Sequence, residues 1–230
     1  MSKCGTCHQA GRHPFCNLSS SAQAFFDESV IEVRYPKSSV LFREGEKCCA
    51  VYVIDSGSVK LSTTSSEGRT LIVRVAMPGD VLGISAAIAE SEFEVTAQSL
   101  QPCHISLLRG ADLSHMLQSY GGVSLAAARS MASEYRAAFD EMRMLAFSGS
   151  AKGRLASLIL QWALTNERLS TPSPFIRMSL THDELASMTG TARETMTRAL
   201  SQLRRDKIIT LNGTALTVLD PTALQLCSQS

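Results

Sequence analysis

Residues 179–205, with the sequence SLTHDELASMTGTARETMTRALSQLRR, decide how the C-terminal part of this chain folds. Apolar residues recur at helical spacing on either side of Thr189 and Gly190, which predicts two short helices joined by a glycine turn. These apolar residues are Leu180, Leu185, Met188, Met196, Leu200 and Leu203. Thr181 lies three positions before Glu184, the spacing of a capping box. Gly190 can adopt the positive φ that a tight turn between crossing helices needs. The stretch therefore predicts a helix-turn-helix.

The second helix of this motif concentrates polar side chains in its N-terminal half. We expect it to expose Thr191, Arg193, Glu194, Thr197 and Arg198 and to turn Ala192, Met196, Ala199, Leu200 and Leu203 inward. In a major groove, arginine can contact guanine O6 and N7 and glutamate can accept from cytosine N4. Arg193, Glu194 and Arg198 supply these groups. The alternative interpretation is an ordinary amphipathic helical hairpin with a solvated charged face.

Residues 207–218 predict a β-hairpin directly after the motif. Two β-prone runs, 207–211 and 214–218, flank Asn212 and Gly213, which form a strong two-residue turn signal. A helix-turn-helix followed by such a wing is typical of a DNA-binding domain. The hairpin therefore favours a DNA-binding domain over an ordinary amphipathic helical hairpin.

Composition and charge limit the remaining possibilities. The chain has 230 residues, 44% of them hydrophobic and 19% charged, which suits two folded domains and indicates neither disorder nor a membrane protein. The N-terminus lacks the apolar core of a signal peptide, so we expect a cytoplasmic protein. Residues 151–230 hold nine Lys and Arg against six Asp and Glu, while residues 1–150 hold 13 against 15. This mild basic excess in the C-terminal part is compatible with phosphate contacts. No nucleophile elbow, phosphate loop or HExxH pattern indicates an enzyme.

The N-terminal half reads as a short helix followed by many short strands. The helix is predicted over residues 20–29, and turn signals separate the strands at regular intervals. The strands are predicted over residues 31–35, 40–42, 51–54, 59–61, 71–75, 94–100 and 104–108. This pattern is typical of an antiparallel barrel or jelly roll. The fold class is therefore α+β, with a sensor domain over residues 20–120.

After Gly121 and Gly122 the period changes to that of a helix. Apolar residues recur at alternating steps of three and four, which predicts a narrow coiled-coil seam over residues 121–148. The seam consists of Leu125, Ala128, Ala132, Tyr135, Phe139, Met142 and Ala146. A helix that packs only on its own domain is the alternative. A homodimer is favoured because a two-fold molecule can grip two half-sites of DNA. Residues 148–150 break the helix, and a helix over residues 154–164 opens the DNA-binding domain, residues 149–230.

The leader, residues 1–19, gathers three of the seven cysteines with two histidines. Cys4 and Cys7 have the spacing at which two thiolates reach one centre, and Cys16 can fold back toward them. In a cytoplasmic protein this clustering indicates metal or redox chemistry rather than disulfides. Thiolates suit an iron-sulfur cluster, whereas thiolates with His8, His13 or His104 suit tetrahedral zinc. A thiol switch remains a further alternative.

The order of these segments resembles the Crp/Fnr family, the cyclic-AMP receptor and fumarate-nitrate regulator type. The likeness rests on Gly57, Gly68, the Pro78-Gly79-Asp80-x-x-Gly83 pattern, and the segment from Thr181 to Arg198. It implies a cyclic-nucleotide-binding-like domain, a long dimerisation helix and a winged helix-turn-helix. It also implies that Arg193, Glu194 and Arg198 read palindromic TGTGA-like half-sites in double-stranded DNA, that Thr181 and Thr195 contact phosphate, and that RNA polymerase is a further partner.

The effector implied by the resemblance differs between branches of the family. Cyclic-nucleotide binders have a glutamate shortly after the Gly-Asp pair and an arginine for the cyclic phosphate, but this chain has Gly83-Ile84-Ser85 and Glu94-Val95-Thr96-Ala97. An acid near the phosphate position would repel the ligand. We therefore expect no cyclic-AMP binding, although another small ligand of the barrel remains an alternative.

The cysteine leader resembles the oxygen-sensing branch, which holds a [4Fe-4S] cluster. The resemblance implies Cys4, Cys7 and Cys16 as three ligands and Cys103 as the fourth, with oxygen, nitric oxide or redox state as the signal. Cys48 and Cys49 are other candidates for the fourth ligand, whereas Cys227 has no evident partner. Zinc is the alternative metal.

Overall fold

A computed structural model describes residues 15–16, 18–147, 149–165, 175–177, 180–213 and 215–229. Cys4, Cys7, His8 and His13 lie outside the described residues. The chain forms two compact units, residues 1–137 and 138–230. Among the described residues, no helix combines the length and the hydropathy that crossing a bilayer requires.

The first unit contains two four-stranded antiparallel sheets, with strand orders β1-β8-β3-β6 and β2-β7-β4-β5. Its elements are α1 (Ser20–Ser29), β1 (Ile31–Tyr35), β2 (Val40–Phe42), β3 (Ala50–Ser56), β4 (Val59–Thr64), β5 (Thr70–Ala76), β6 (Val81–Leu82), α2 (Ile84–Ile88), β7 (Thr96–Ser99), β8 (Cys103–Arg109) and α3 (Gly110–Ser119). Both sheets are open at their edges. The prediction of a jelly roll is confirmed, but the two sheets form a sandwich rather than a closed barrel.

The β1-β8-β3-β6 sheet separates two hydrophobic clusters, because successive side chains of a strand point to opposite faces. Its inner face, turned toward the second sheet, carries Ile54 of β3 with Cys103 and Ile105 of β8. Its outer face carries Val53 and Leu108, which pack against the helices. The residues that α1, α3 and the following helix add to this outer cluster are Ala22, Phe26, Leu113, Met116, Val123 and Ala127.

The long helix α4 (Gly121–Phe147) carries two different stripes. Val123 and Ala127 are fully buried against the outer cluster, so this helix does pack on its own unit. The predicted seam lies elsewhere on its surface and is exposed at Leu125, Ala128, Ala132, Tyr135, Phe139 and Met142. The seam is thus not the stripe that packs on the sandwich.

The second unit surrounds the helix-turn-helix with further elements. They are α5 (Ala151–Thr165), β9 (Phe175–Arg177), α6 (His182–Met188), α7 (Arg193–Arg205), β10 (Ile209–Asn212), β11 (Ala215–Val218) and α8 (Pro221–Ser228). The wing is confirmed because β10 pairs with β11, although Asn212 is the last paired residue of β10, opposite Ala215, rather than part of the turn as predicted. It begins two residues later than predicted because Lys207 has a φ of 55°, which is incompatible with a strand. β9 pairs with β11 on the other side and completes a three-stranded sheet.

Candidate DNA-binding surface

The first helix of the motif begins with the predicted capping box. The Thr181 hydroxyl accepts from the Glu184 backbone N–H at 3.2 Å, and Glu184 Oε2 accepts from the Thr181 backbone N–H at 2.9 Å. Thr181 Oγ1 also donates to Glu184 Oε2 at 3.1 Å. Both hydrogen-bonding functions of this hydroxyl are therefore used within the protein. A phosphate contact by Thr181 requires its hydroxyl to exchange Glu184 for DNA.

The turn between the two helices is fixed by a buried threonine and a glycine. Thr189 is fully buried, and its hydroxyl donates to the Leu185 carbonyl at 2.9 Å. Gly190 has a φ of 59°, as the sequence predicts for this turn. The main chain can therefore reverse here without leaving the Thr189 side chain unsatisfied.

The second helix, α7, has one buried and one exposed side. Met196, Ala199, Leu200 and Leu203 are buried, whereas Arg193, Glu194 and Arg198 are exposed. At 100° per residue, the three exposed residues span an arc of about 140° that is centred away from the buried side. One expected inward residue is placed wrongly: Ala192 is exposed because it is the N-cap of α7 and lies outside the helical turns.

Each candidate arginine has a weak contact at the protein surface. Arg193 Nη1 lies 3.3 Å from Asp183 Oδ2, and both side chains are 63% exposed, so water and salt screen this pair strongly. Arg198 Nη2 donates to Thr195 Oγ1 at 3.3 Å. Sequence reasoning missed Asp183, since nothing in the pattern indicates which residue of α6 faces α7. Exposed contacts of this kind leave both guanidinium groups available for exchange with DNA.

His182 is a second residue of α6 that contacts α7. Its Nδ1 lies 3.1 Å from the Thr197 hydroxyl, and that hydroxyl donates to the Arg193 carbonyl at 3.0 Å. His182 is exposed. The predicted readers thus share their surface with two residues of the preceding helix, His182 and Asp183.

Two family descriptions match most of the chain. Residues 32–120 match the cyclic nucleotide-binding domain, and residues 153–227 match the Crp-like helix-turn-helix domain. The chain belongs to the Crp/Fnr family of transcription regulators. Members of this family bind DNA, typically act as dimers, and are not enzymes.

Curated relatives and solved structures extend over most of this Crp/Fnr regulator. It is 26% identical over 227 residues to the transcriptional activator protein Anr of Pseudomonas protegens, covering 96% of this chain and 91% of that protein. It is 24% identical over 186 residues to the cAMP-activated global transcriptional regulator CRP of Salmonella typhimurium, covering 80% of this chain and 88% of that protein. Among solved structures, FixK2 from Bradyrhizobium japonicum has a TM-score of 0.78 at 23% identity and covers 87% of this chain and 98% of that chain. This structural likeness shows the shared fold.

In this Crp/Fnr regulator three charged groups of the sandwich and one of α4 interact electrostatically, and we call this region the acidic end: Arg74, Asp80, Glu94 and Glu134. Arg74 Nη1 lies 3.6 Å from Asp80 Oδ2, and Ser85 Oγ donates to Glu94 Oε1 at 3.3 Å. Glu134 of α4 interacts electrostatically with the other three groups. The region thus contains three carboxyl groups and one guanidinium. This excess of acidic groups supports the expectation that an anionic cyclic nucleotide is disfavoured here, which stays a prediction.

The structure places the predicted fourth thiol ligand of the Crp/Fnr regulator inside the sandwich. Cys103 is 1% exposed, and its Sγ donates to the carbonyls of Ser58 at 3.4 Å and Gln101 at 3.1 Å. Burial raises the pKa of this thiol and so favours the protonated form, which is not a metal ligand. Gly57 presses against it so closely that an added Cβ would lie 2.5 Å from Sγ.

Cys16 belongs to a different part of the first unit. The preceding residue, Phe15, is fully buried in the outer cluster and stacks on Phe26 with ring centroids 5.4 Å apart. Cys103 contributes to the inner cluster, on the opposite face of the sheet. Within the described residues, no group of three His, Cys, Asp or Glu side chains is arranged to hold a metal ion. Cys103 therefore stays a predicted fourth ligand, with its thiol on the opposite face of the sheet from the Phe15 anchor next to Cys16.

The other candidate ligands are separated in the same way. Cys48 packs against the inner cluster and donates to the Ala50 carbonyl at 3.4 Å, whereas Cys49 is exposed and donates to the Lys47 carbonyl at 3.5 Å. His104 is exposed and lies on the face of β8 opposite to Cys103. In each pair of adjacent residues, Cys48 with Cys49 and Cys103 with His104, only one side chain lies at the inner cluster. The two side chains of a pair thus do not converge on one centre.

Proposed function

We propose that this protein is a homodimeric transcription regulator that reads palindromic TGTGA-like half-sites in double-stranded DNA. The observation that carries this proposal is the pattern on α7: Arg193, Glu194 and Arg198 are exposed, while the other side of the same helix is buried. Arg193 and Arg198 supply bidentate donors for guanine, and Glu194 supplies an acceptor for cytosine N4. Thr195 and, after its exchange with Glu184, Thr181 would contact phosphate. The family resemblance supports RNA polymerase as a further partner.

The DNA proposal is tested by substituting one reader at a time. Arg193→Ala should weaken binding to a TGTGA palindrome by about 1 to 3 kcal/mol and should change binding to a scrambled duplex little, because the lost contact is to a base. Arg204→Ala is the matched control, since Arg204 is an exposed arginine of the C-terminal half of α7. Fluorescence anisotropy at fixed salt measures both duplexes. Equal losses on both duplexes would assign Arg193 to phosphate instead.

The seam of α4 supports the homodimer. Leu125, Tyr135, Phe139 and Met142 are 53%, 72%, 48% and 63% exposed, and their heptad-like spacing suits a second copy of the same helix. A two-fold pair would place two recognition helices on half-sites about 34 Å apart. Phe139→Glu should shift the protein toward the monomer in sedimentation experiments, whereas Asp140→Ala, one residue outside the seam, should leave the assembly unchanged. A wild-type protein that is strictly monomeric at micromolar concentration contradicts the homodimer.

We further propose that the leader cysteines Cys4, Cys7 and Cys16 form the element that responds to oxygen, nitric oxide or redox state. Phe15 supports this role, because it anchors the chain next to Cys16 in the same cluster that holds the first turns of α4. A [4Fe-4S] cluster would supply an oxygen-sensitive centre, and Cys103 stays the predicted fourth ligand only if its thiol leaves the sandwich interior. Zinc or a thiol switch would use the same leader thiolates.

Elemental analysis of protein purified without oxygen separates these possibilities. Iron with acid-labile sulfide supports the cluster, zinc supports the alternative metal, and the absence of both leaves the thiol switch. Cys16→Ser should remove the metal. Cys103→Ser decides the remaining ligand: retained iron would exclude Cys103, and lost iron in a variant that still folds would assign it.

A further inference from the structure

The stripe of α4 that faces the sandwich changes character along the helix. Val123, Ala127, Met131 and Glu134 follow one another at steps of four, four and three, which places them on one face. Val123 and Ala127 are fully buried, Met131 packs on the outer cluster, and Glu134 is half-buried. Three apolar residues in successive helical turns are thus followed, on the same face, by a carboxyl group. This position differs from the exposed seam.

The groups that face Glu134 belong to three other parts of the sandwich. Arg74 comes from β5, Asp80 from the turn before β6, and Glu94 from the segment before β7. Asp80 Oδ2 already receives the Met77 backbone N–H at 2.9 Å and lies 3.6 Å from Arg74, and Glu94 already receives Ser85 Oγ. The positive charge of Arg74 is therefore not available to Glu134 alone. With all carboxyl groups ionised, three negative charges face one positive charge.

The balance of these influences favours a proton on Glu134. Burial is the main cause and raises the pKa of Glu134 to about 7 from an ordinary value of 4.5. Asp80 and Glu94 raise the pKa further as like charges, and Arg74 opposes them. An acid whose pKa is higher in the folded protein than in the unfolded chain costs stability as the pH rises between the two values. The window here is about pH 4.5 to 7.

We propose that Glu134 is a proton-operated latch between α4 and the acidic end of the sandwich. The protonated carboxyl is not repelled by Asp80 and Glu94, so α4 stays on the sandwich. The carboxylate is repelled by both groups and loosens the helix. The latch is therefore closed in acidic solution, loosens progressively as the pH rises from about 4.5 to 7, and changes little above that range.

The latch is connected to DNA binding through α4 itself, and this consequence rests on the proposed function. α4 runs over Gly121–Phe147 and so continues beyond residue 137 into the unit that contains the helix-turn-helix. The same helix carries the seam of the proposed dimer. A change in how the first turns of α4 are held thus acts on the element that joins sensor and reader, and we expect the closed latch to favour DNA binding.

The latch itself is tested without DNA. Hydrogen-exchange mass spectrometry of residues 121–137 gives protection factors at pH 5 and pH 8. In the wild-type protein protection should fall about tenfold over this range, less than the full linkage because Glu134 is only half-buried. Glu134→Gln, which keeps the shape of a protonated carboxyl, should abolish the fall, and Asp140→Asn, an exposed acid of the same helix, should behave as wild type. Identical profiles for wild type and Glu134→Gln overturn the proposal.

A second variant keeps the test valid if Glu134→Gln does not fold. Glu94→Gln removes one repelling charge from an exposed position and keeps an oxygen for Ser85. It should move the midpoint of the protection change to lower pH than in the wild-type protein. An unchanged or higher midpoint contradicts the role of Glu94 in the latch.

DNA affinity then shows whether the latch is coupled to the proposed function. Fluorescence anisotropy on a TGTGA palindrome should show wild-type affinity falling severalfold from pH 6 to pH 8, with a smaller fall in Glu134→Gln. Parallel profiles, or wild-type affinity that rises with pH, overturn the coupling. If no DNA is bound at either pH while the protection factors behave as expected, the proposed function fails and the latch stands.

Discussion

The recognition helix α7 and the acidic end of the sandwich both gather charged side chains, but they hold them differently. On α7, Arg193 is paired with Asp183 through a contact in which both side chains are 63% exposed. At the acidic end, Glu134 is half-buried and its pKa is raised by that burial. The charges that we propose for DNA contact are held by weak, screened contacts, whereas a carboxyl group held by burial has a shifted pKa instead.

The largest effect is expected when the packing beneath the exposed side of α7 is removed. Met196 is fully buried, so Met196→Ala should lower the free energy of unfolding by about 2 to 5 kcal/mol. Gln202→Ala, an exposed change on the same helix, should alter it by less than about 0.5 kcal/mol. Urea unfolding followed by circular dichroism measures both variants. Similar small effects would mean that α7 does not depend on its buried side.

A smaller effect on stability is expected at Gly57, which borders the interior of the sandwich. Gly57 and Gly68 both have positive φ, but only at Gly57 would a Cβ collide with neighbours, at 2.5 Å from Cys103 Sγ and 2.7 Å from the Pro102 carbonyl. Gly57→Ala should therefore cost about 1 to 3 kcal/mol more than Gly68→Ala, which shares the backbone strain and meets open space. Thermal and urea unfolding compare the two variants. Equal costs would show that Cys103 is not confined by this turn.

The smallest expected effect lies at the exposed pair. Asp183→Asn should change the free energy of unfolding by less than about 1 kcal/mol, since exposed ion pairs contribute little. It should strengthen binding to the TGTGA palindrome modestly, because a negative charge next to the DNA phosphates is removed. Anisotropy titrations at two salt concentrations measure the change. A severalfold loss of affinity would instead show that Asp183 positions Arg193 for its base.

Local sequence signals are sufficient to predict the helix-turn-helix and its wing. The capping box at Thr181, the positive φ of Gly190 and the hairpin of the wing each depend on residues close together in the chain. The turn of the wing differs by one residue from the prediction, because Asn212 still pairs with Ala215. The expectation that Ala192 faces inward is wrong because α7 begins only at Arg193, and no side-chain cap marks that start. Helix boundaries of this kind are weakly encoded in local sequence.

Elements that depend on distant partners escaped prediction. β6 has two residues and is a strand only through its pairing with β3, and β9 is a strand only through β11. The helix α3 was overlooked between β8 and α4, although Leu113 and Met116 bury one of its faces. Glu134 reads as a solvent-facing acid in the sequence, since its neighbours Arg74, Asp80 and Glu94 are 40 to 60 positions away. The burial and the raised pKa of Glu134 therefore depend on long-range contacts, which its residue type does not reveal.

The short contact between His182 and Thr197 determines which proton the imidazole ring carries. A threonine hydroxyl has one hydrogen, and Thr197 gives it to the Arg193 carbonyl. While Thr197 donates to that carbonyl, its oxygen accepts from His182 Nδ1, which selects the Nδ1–H tautomer of the neutral ring and leaves a lone pair at Nε2. Such a ring can receive a hydrogen bond from the amino group of adenine or cytosine but has no hydrogen at Nε2 to give to a phosphate oxygen.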